Sequence, residues 1–236
     1  MKLDILAFGA HPDDVEISAG GMLISEARKG KKVGIIDLTL GEMGTRGTVE
    51  IRKKEAAEAA RIMQLSVREN LEIADGFIET NATNLEKVIR AIRKYQPDVV
   101  ITNAPNDRHP DHGHAASLVV DACFKSGLRK YIVDGTGDNA WRPKVVYQYM
   151  QFYIHKADFI YDVSDVMEEK LACILAHESQ FYNPNSNEPP TLIASRQFKE
   201  HLKARSLEYG LQAGFEYGEP FIVLRPLGVK DLGGLY

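Results

Sequence analysis

Two short stretches of the chain concentrate groups that can hold a cation and move a proton. "GAHPDDVE" (9–16) puts His11, Asp13 and Asp14 in one turn, and "HPDHGH" (109–114) puts His109, Asp111, His112 and His114 within six residues. Adjacent carboxylates repel each other and resist burial, so a turn holding two of them needs a compensating charge. Imidazole with carboxylate is a donor set for zinc and similar divalent ions. A catalytic site of that kind takes three protein ligands and leaves a position for water. One His and one Asp from the first stretch, with one His from the second, would supply three. Each residue also has an ordinary use. Asp13 and Asp14 could be acidic charges at a helix N-terminus, Pro12 and Pro110 turn formers, and a single His a cap. Two "H-P-D" tripeptides, each behind an apolar run, favour the metal.

The elements needed to position these groups are legible in the periodicity. "LDILAFGA" (3–10), "KKVGIIDLTL" (31–40) and "PDVVITNAP" (97–105) read as buried strands, and "NLEIAD" (70–75) as a weaker one. Helices are predicted over 18–30, with Ser18 a possible N-cap and Gly30 the stop, and over 49–65, 81–95 and 112–127. Later in the chain come a loop at 134–143, strands in "KVVYQYM" and "DFIYDVSD", a helix over 166–180, a polar Pro-rich loop at 182–190, a helix over about 191–208 and a strand over 220–227. Strands alternating with helices imply an α/β fold, a parallel sheet wrapped on both faces. Ligands bind beyond the carboxyl ends of such strands. The two His/Asp stretches and the Gly-rich loop "GEMGTRGT" (41–48) all follow strands, so they are expected to converge on one edge.

Bulk composition narrows the function classes. The 236 residues are 44% hydrophobic and 26% charged, ordinary for a soluble globular protein. A net charge of −4 gives no sign of a nucleic-acid surface. Cys123 and Cys173 form no C-x-x-C pattern, which points to buried free thiols in a reducing cytoplasm. Asp4 interrupts the N-terminal apolar run, against a signal peptide, and no stretch reaches the length of a membrane span. No repeat, low-complexity segment or clean linker divides the chain.

"AHPDDVE" followed by "HPDH" resembles the zinc-dependent N-acetylglucosamine deacetylases of the LmbE-like, or PIG-L, family. The resemblance follows motif order over most of the chain and is strongest in 3–60 and 97–125. It implies a single Rossmann-like domain over 1–236 with the LmbE-like fold, and one zinc per chain, other divalent metals being possible. His11, Asp14 and His112 would be the ligands and Asp13 the general base. His109 would face the developing oxyanion as an imidazolium, oriented by Asp111. "GEMGTRGT" and the compact length resemble members acting on N-acetylglucosaminyl malate in bacillithiol biosynthesis, for which a homohexamer is implied. Chitooligosaccharides or other GlcNAc conjugates are the alternative substrates.

Beyond these, an Arg at the place of Arg52 lies near the substrate pocket in the family, while its i,i+3 spacing to Glu55 also allows a surface pair. Glu42 is a candidate for sugar hydroxyls, and Arg108 for an anion. Arg46 lies in the second loop without a specific role. His114 reads as a first-turn helix residue. His155, His177 and His201 show no partner in sequence, and Trp141 with the 182–190 loop is a candidate lid. Two other classes compete. A nucleotide-binding module would want G-x-G-x-x-G or GK[ST], and neither is present. A two-metal phosphoesterase would want more carboxylates.

Overall fold

The computed structural model describes residues 1–136 and 139–229. The loop expected over 134–143 and the domain expected over 1–236 therefore each fall partly outside the described residues. In chain order the elements are β1 (Ile5–Gly9), α1 (Asp14–Arg28), β2 (Val33–Asp37), α2 (Val49–Ile62), β3 (Val67–Asn70), α3 (Ala82–Tyr95), β4 (Val99–Asn103), α4 (Pro110–Ser126), β5 (Val145–Tyr149), β6 (Phe159–Asp162), α5 (Met167–Leu175), α6 (Arg196–Ala213) and β7 (Gly218–Val223). The seven strands form one sheet in the order β3-β2-β1-β4-β5-β7-β6. β3 through β5 run parallel, whereas β7 is antiparallel to both β5 and β6. The fold is α/β with a mostly parallel sheet, as expected.

β1, β2 and β4 are buried on both faces, which is why they read as continuous apolar runs. One face packs Ile5, Ala7 and Ile35 against Val15, Leu23, Cys173 and Phe198 of α1, α5 and α6. The other packs Leu6, Phe8 and Val100 against Val88, Ile92 and Leu118 of α3 and α4. In α3 the buried Leu85, Val88, Ile89 and Ile92 form the stripe that the spacing predicted.

Strand order reverses between β1 and β4, which pair Ile5 with Val99, Leu6 with Val100 and Ala7 with Ile101. A crevice opens beyond the carboxyl ends of two such strands because their connections leave in opposite directions. Both His/Asp stretches leave the sheet at this point.

Several boundaries differ from expectation. α1 begins at Asp14 rather than Ser18, with Asp13 at the N-cap. β3 spans Val67–Asn70 rather than 70–75, because it is an edge strand whose half-buried polar residues break the apolar pattern. α5 stops at Leu175 because the chain then turns His177 inward onto Glu16. α6 runs from Arg196 to Ala213, its start set by Ser195, whose hydroxyl accepts from Phe198 N at 3.1 Å.

Candidate metal centre

Two strand ends build the site. Ala10 N donates to Asn103 Oδ1 at 3.2 Å, fastening the exit of β1 to that of β4. His11 and Asp14 then close a tight turn, in which His11 N donates to Asp14 Oδ2 at 2.9 Å. Between them Asp13 takes φ 118°, a conformation that costs a non-glycine residue free energy and is held by its surroundings. After β4 the chain enters α4 with His109 as N-cap and Pro110 at the first helical position.

Three imidazoles meet there. Ring centroids lie 4.7 Å apart for His11 and His109, 5.3 Å for His109 and His112, and 5.8 Å for His11 and His112. Ligand atoms of all three fall within 4.8 Å of one another. Asp14 lies between two of them, with Oδ2 3.5 Å from His11 Nδ1 and Oδ1 3.3 Å from His112 Nε2. The far nitrogen of each imidazole meets a carboxylate: His11 Nε2 is 2.9 Å from Asp75 Oδ1, and His112 Nδ1 is 2.7 Å from Asp107 Oδ2. A proton fixed on the carboxylate side leaves the opposite nitrogen with a free lone pair. His11 Nδ1, His112 Nε2 and the Asp14 carboxylate are donors that could hold a divalent cation, beside the His11–His109–His112 and His11–Asp75–Asp111 groups, in each of which ligand atoms lie within 4.8 Å of one another.

The electrostatics agree. Burial opposes charge on His11, yet hydrogen bonds to Asp111, Asp14 and Asp75 raise it well above the usual imidazole value. Burial also works against His112, but the Asp14 charge and the Asp107 hydrogen bond carry it to about 9. For Asp14, burial is outweighed by His112 and His11, and its carboxyl is held well below the usual range. The site therefore stabilises positive charge, which protons and a metal ion would compete to supply. Asp13 behaves differently from its neighbour. Burial pushes it up to about 6, with the Arg52 guanidinium pulling the other way and the Asp14 charge adding to the rise.

The cavity over this cluster has a volume of about 340 Å³ and is walled by His109, Asp13, Arg52, Arg108, Met43 and Gln180 among others. Arg108 is exposed at its mouth, 5.3 Å over the Phe152 ring, and has no carboxylate partner among the described residues. Arg52 lines the cavity, and its two terminal nitrogens are bound by the protein: Nη1 donates to Gly41 O at 3.1 Å and Nη2 to Pro12 O at 2.7 Å, with Asp13 Oδ2 at 3.4 Å, while the buried Nε has no partner among the described residues. Gly41, at φ +66°, permits this approach, since a Cβ there would lie 1.9 Å from Arg52 Nη1. Glu42 is not among the residues that wall the cavity, and it accepts from Asp75 N at 2.9 Å.

Four expectations need correction. Asp111 does not turn its carboxylate to His109; Oδ2 accepts from Gly76 N at 2.8 Å and lies 3.4 Å from His11 Nε2. Its link to His109 is main-chain: Asp111 N donates to His109 Nδ1 at 3.3 Å. His109 is consequently not favoured as an imidazolium, because burial and the charges of His11 and His112 all lower it. The Arg52–Glu55 surface pair does not form, since both are buried and Glu55 instead accepts from Ser179 N at 2.6 Å and Ser179 Oγ at 2.8 Å. Trp141 is no lid: its Nε1 donates to Pro97 O at 2.8 Å, at the opposite end of β4 from the site. The 182–190 loop does lie near the site, clamped by Arg46, which donates to Ser179 O at 2.7 Å and Ser186 Oγ at 2.8 Å.

Sequence reasoning missed Asp75, Asp107, Asn103 and Gln151, whose Nε2 donates to Asp14 Oδ1 at 2.7 Å. Asp107 lies just ahead of the second cluster, two residues before His109 and five before His112. The other three sit at or just beyond strand ends.

Comparison with known proteins places this geometry in context. Residues 6–123 match the family profile PIG-L, described as GlcNAc-PI de-N-acetylase. A conserved protein of Thermus thermophilus, TT1542, superposes with a TM-score of 0.87 at 35% identity, covering 96% of this chain and 97% of its own. The diacetylchitobiose deacetylase of Thermococcus kodakarensis is 29% identical over 98% of this chain and 84% of its own length. A probable N-acetyl-alpha-D-glucosaminyl L-malate deacetylase 2 of Bacillus subtilis is 26% identical over 76% of this chain and 84% of its own length.

Proposed function

We propose that this chain, which belongs to the PIG-L family of GlcNAc-PI de-N-acetylases, is a zinc-dependent deacetylase of N-acetylglucosaminyl malate. Its reaction class is hydrolysis of the N-acetyl amide of a GlcNAc-containing substrate. His11, Asp14 and His112 would hold one zinc per chain, which when bound supplies Lewis acidity toward water and the acetamide carbonyl. Asp13 takes the proton from the attacking water, a task suited to a carboxylate raised to about 6. His109, whose Nδ1 is occupied by Asp111 N, carries its proton on Nε2 and donates it as a hydrogen bond to the developing oxyanion. Asp13 then returns its proton to the departing amine. Arg52 steadies Asp13, while Asp111 and Asp75 orient His11. Glu42 contributes only by holding the Asp75 main chain.

The observation that favours malate is Arg108, a guanidinium with no carboxylate partner among the described residues, at the mouth of the cavity, where a carboxylate-bearing aglycone would emerge. A second reading, a neutral diacetylchitobiose-type substrate, is supported by the similarity to the Thermococcus enzyme over 98% of the chain. Acetate release from GlcNAc-malate, diacetylchitobiose and free GlcNAc under matched conditions decides between them. A kcat/KM higher for diacetylchitobiose overturns the malate assignment. The proposal further takes residues 1–236 as one deacetylase domain that assembles as a homohexamer in the cytoplasm. Two buried free cysteines support the compartment, and among the described residues no helix is long and apolar enough to cross a membrane.

A further inference from the structure

The proposed ligands stand at the ends of β1 and β4, but the next strand over, β5, ends against them as well. It pairs with β4 as far as Asn103 and Tyr149, and the chain just beyond, Gln151 to Tyr153, makes two sets of contacts. Gln151 Nε2 donates to Asp14 Oδ1 at 2.7 Å. The N–H groups of Phe152 and Tyr153 donate to Asp107 Oδ1 at 3.1 and 2.8 Å, and the other oxygen of Asp107 is 2.7 Å from His112 Nδ1. Consecutive residues thus reach two of the proposed ligands, Asp14 directly and His112 through a carboxylate.

Without Gln151, Asp14 is held by neutral donors on one side alone. Oδ2 accepts from His11 N at 2.9 Å and lies 3.4 Å from Asn103 Nδ2. Oδ1 faces the His112 ring, 3.3 Å from Nε2, and takes its hydrogen bond from the Gln151 amide. The last torsion of an aspartate is broad, so a carboxylate keeps one orientation only where contacts fix it. Each oxygen has two lone pairs, and a hydrogen bond on one leaves the other for a cation. The neutrality of the amide matters here. A Lys or Arg in its place would offset the negative charge that draws a metal. Gln151 Oε1 is buried and has no partner among the described residues. Leaving such an atom unpaired is costly. Turning the amide over would bring its oxygen against the Asp14 carboxylate, which costs more.

We propose that Gln151 is a positioning residue of the metal centre: on a backbone pinned by Asp107, its amide fixes the orientation of the Asp14 carboxylate for the cation. The inference rests on the reading of Asp14 as a ligand. It gives β5, which supplies no proposed ligand, a share in the geometry of the site. The same segment carries Phe152, over whose ring Arg108 lies, so the metal centre and the mouth of the cavity have one support in common.

The test uses the full chain, with zinc and then cobalt as the probe. Gln151→Met keeps the length of the side chain and removes the donor. Gln151→Asn keeps the amide but is one methylene short of Asp14. Both should weaken zinc affinity, measured by competition with a chelator, by about 10–100-fold, the range for losing a contact to a metal-ligating group. Both should also shift the visible bands of the cobalt-loaded protein, which report ligand geometry. Tm of the zinc-free protein is followed alongside. Wild-type zinc affinity and cobalt bands in both variants, with or without a lower Tm, would overturn the proposal and leave Gln151 a packing residue. Asp14→Asn separates the two readings. If it too binds zinc as the wild type does, the ligand assignment fails; if it alone loses zinc, only the role of Gln151 fails.

Discussion

Arg52 Nη2 lies 3.4 Å from Asp13 Oδ2 while the same nitrogen donates to Pro12 O at 2.7 Å, so one guanidinium supports both the proposed base and the strained turn that carries it. Asp13 must be ionised to accept a proton. With its carboxyl pushed up to about 6 by burial, kcat/KM should be full above that pH and fall as pH drops through it. Arg52→Gln removes a cation that lowers this value, so the acid limb should move to higher pH and kcat should fall, with little change in KM. A pH–rate profile checks this. A raised KM for an anionic glycoside with an unmoved limb would instead make Arg52 a substrate anchor.

The two adjacent aspartates should fail differently. Asp13→Asn keeps the shape of the turn but cannot accept a proton, so zinc content should be retained while kcat falls by roughly a hundredfold or more. Asp14→Asn exchanges a charged group at the proposed ligand position for a neutral one, so its first symptom should be weaker zinc affinity, partly rescued by added zinc. Elemental analysis and acetate release with and without added zinc separate the two. The opposite pattern would exchange their roles.

Asp75 and Asp107 fix the far nitrogens of His11 and His112. Asp75→Asn and Asp107→Asn should each weaken zinc affinity by about 10–100-fold without removing a ligand. Competition with a chelator measures it. Unchanged affinity in both would mean that these contacts serve the loops alone.

Arg108→Ala should raise KM for GlcNAc-malate by roughly tenfold and leave that for diacetylchitobiose unchanged, since loss of a charge-assisted contact costs about 1.5 kcal/mol or more. Equal effects on both substrates would remove Arg108 as a reader of the aglycone.

Glu16 tests the buried network below the site. It contacts Arg68 Nη1 at 2.5 Å and His177 Nε2 at 2.7 Å. Burial opposes its ionisation, but Arg68 and His177 bring it down to about 2. A depressed carboxyl stabilises the fold above its unfolded value of 4.5 and loses that contribution as pH falls toward about 2. Glu16→Gln should therefore cost about 3–5 kcal/mol near neutral pH, with the gap from wild type narrowing between pH 4.5 and 2. Denaturant titrations across that range measure it, and a gap that stays constant would count against the network.

The sheet edge was legible because two independent signals coincide there, an apolar run and a burst of ionisable residues. The parallel strands could be read since burial on both faces leaves few polar residues in them. The groups that steady the site were not legible, because their partners are distant in sequence: His11 meets Asp75 across 64 residues and Asp14 meets Gln151 across 137. The 70–75 segment was read as strand from its Leu and Ile, yet Val67–Asn70 is the paired segment, with Arg68 reaching from it to Asp37 and Glu16. Periodicity also says nothing about strand order, so the insertion of β7 between β5 and β6 could not be foreseen.

That last strand bears on how the chain matures during synthesis. Glu219 of β7 caps two amides in the middle of α1 that leave the ribosome 197 and 198 residues earlier, and it neutralises Lys170, itself only 3% exposed. Until translation reaches it, a nascent chain would hold a lysine facing an apolar interior without this counter-charge. The carboxyl-terminal third therefore acts as a checkpoint. A chain arrested before Gly218 should remain soft around α1 and α5 and readily cut by protease there, even though every proposed metal ligand has already been made.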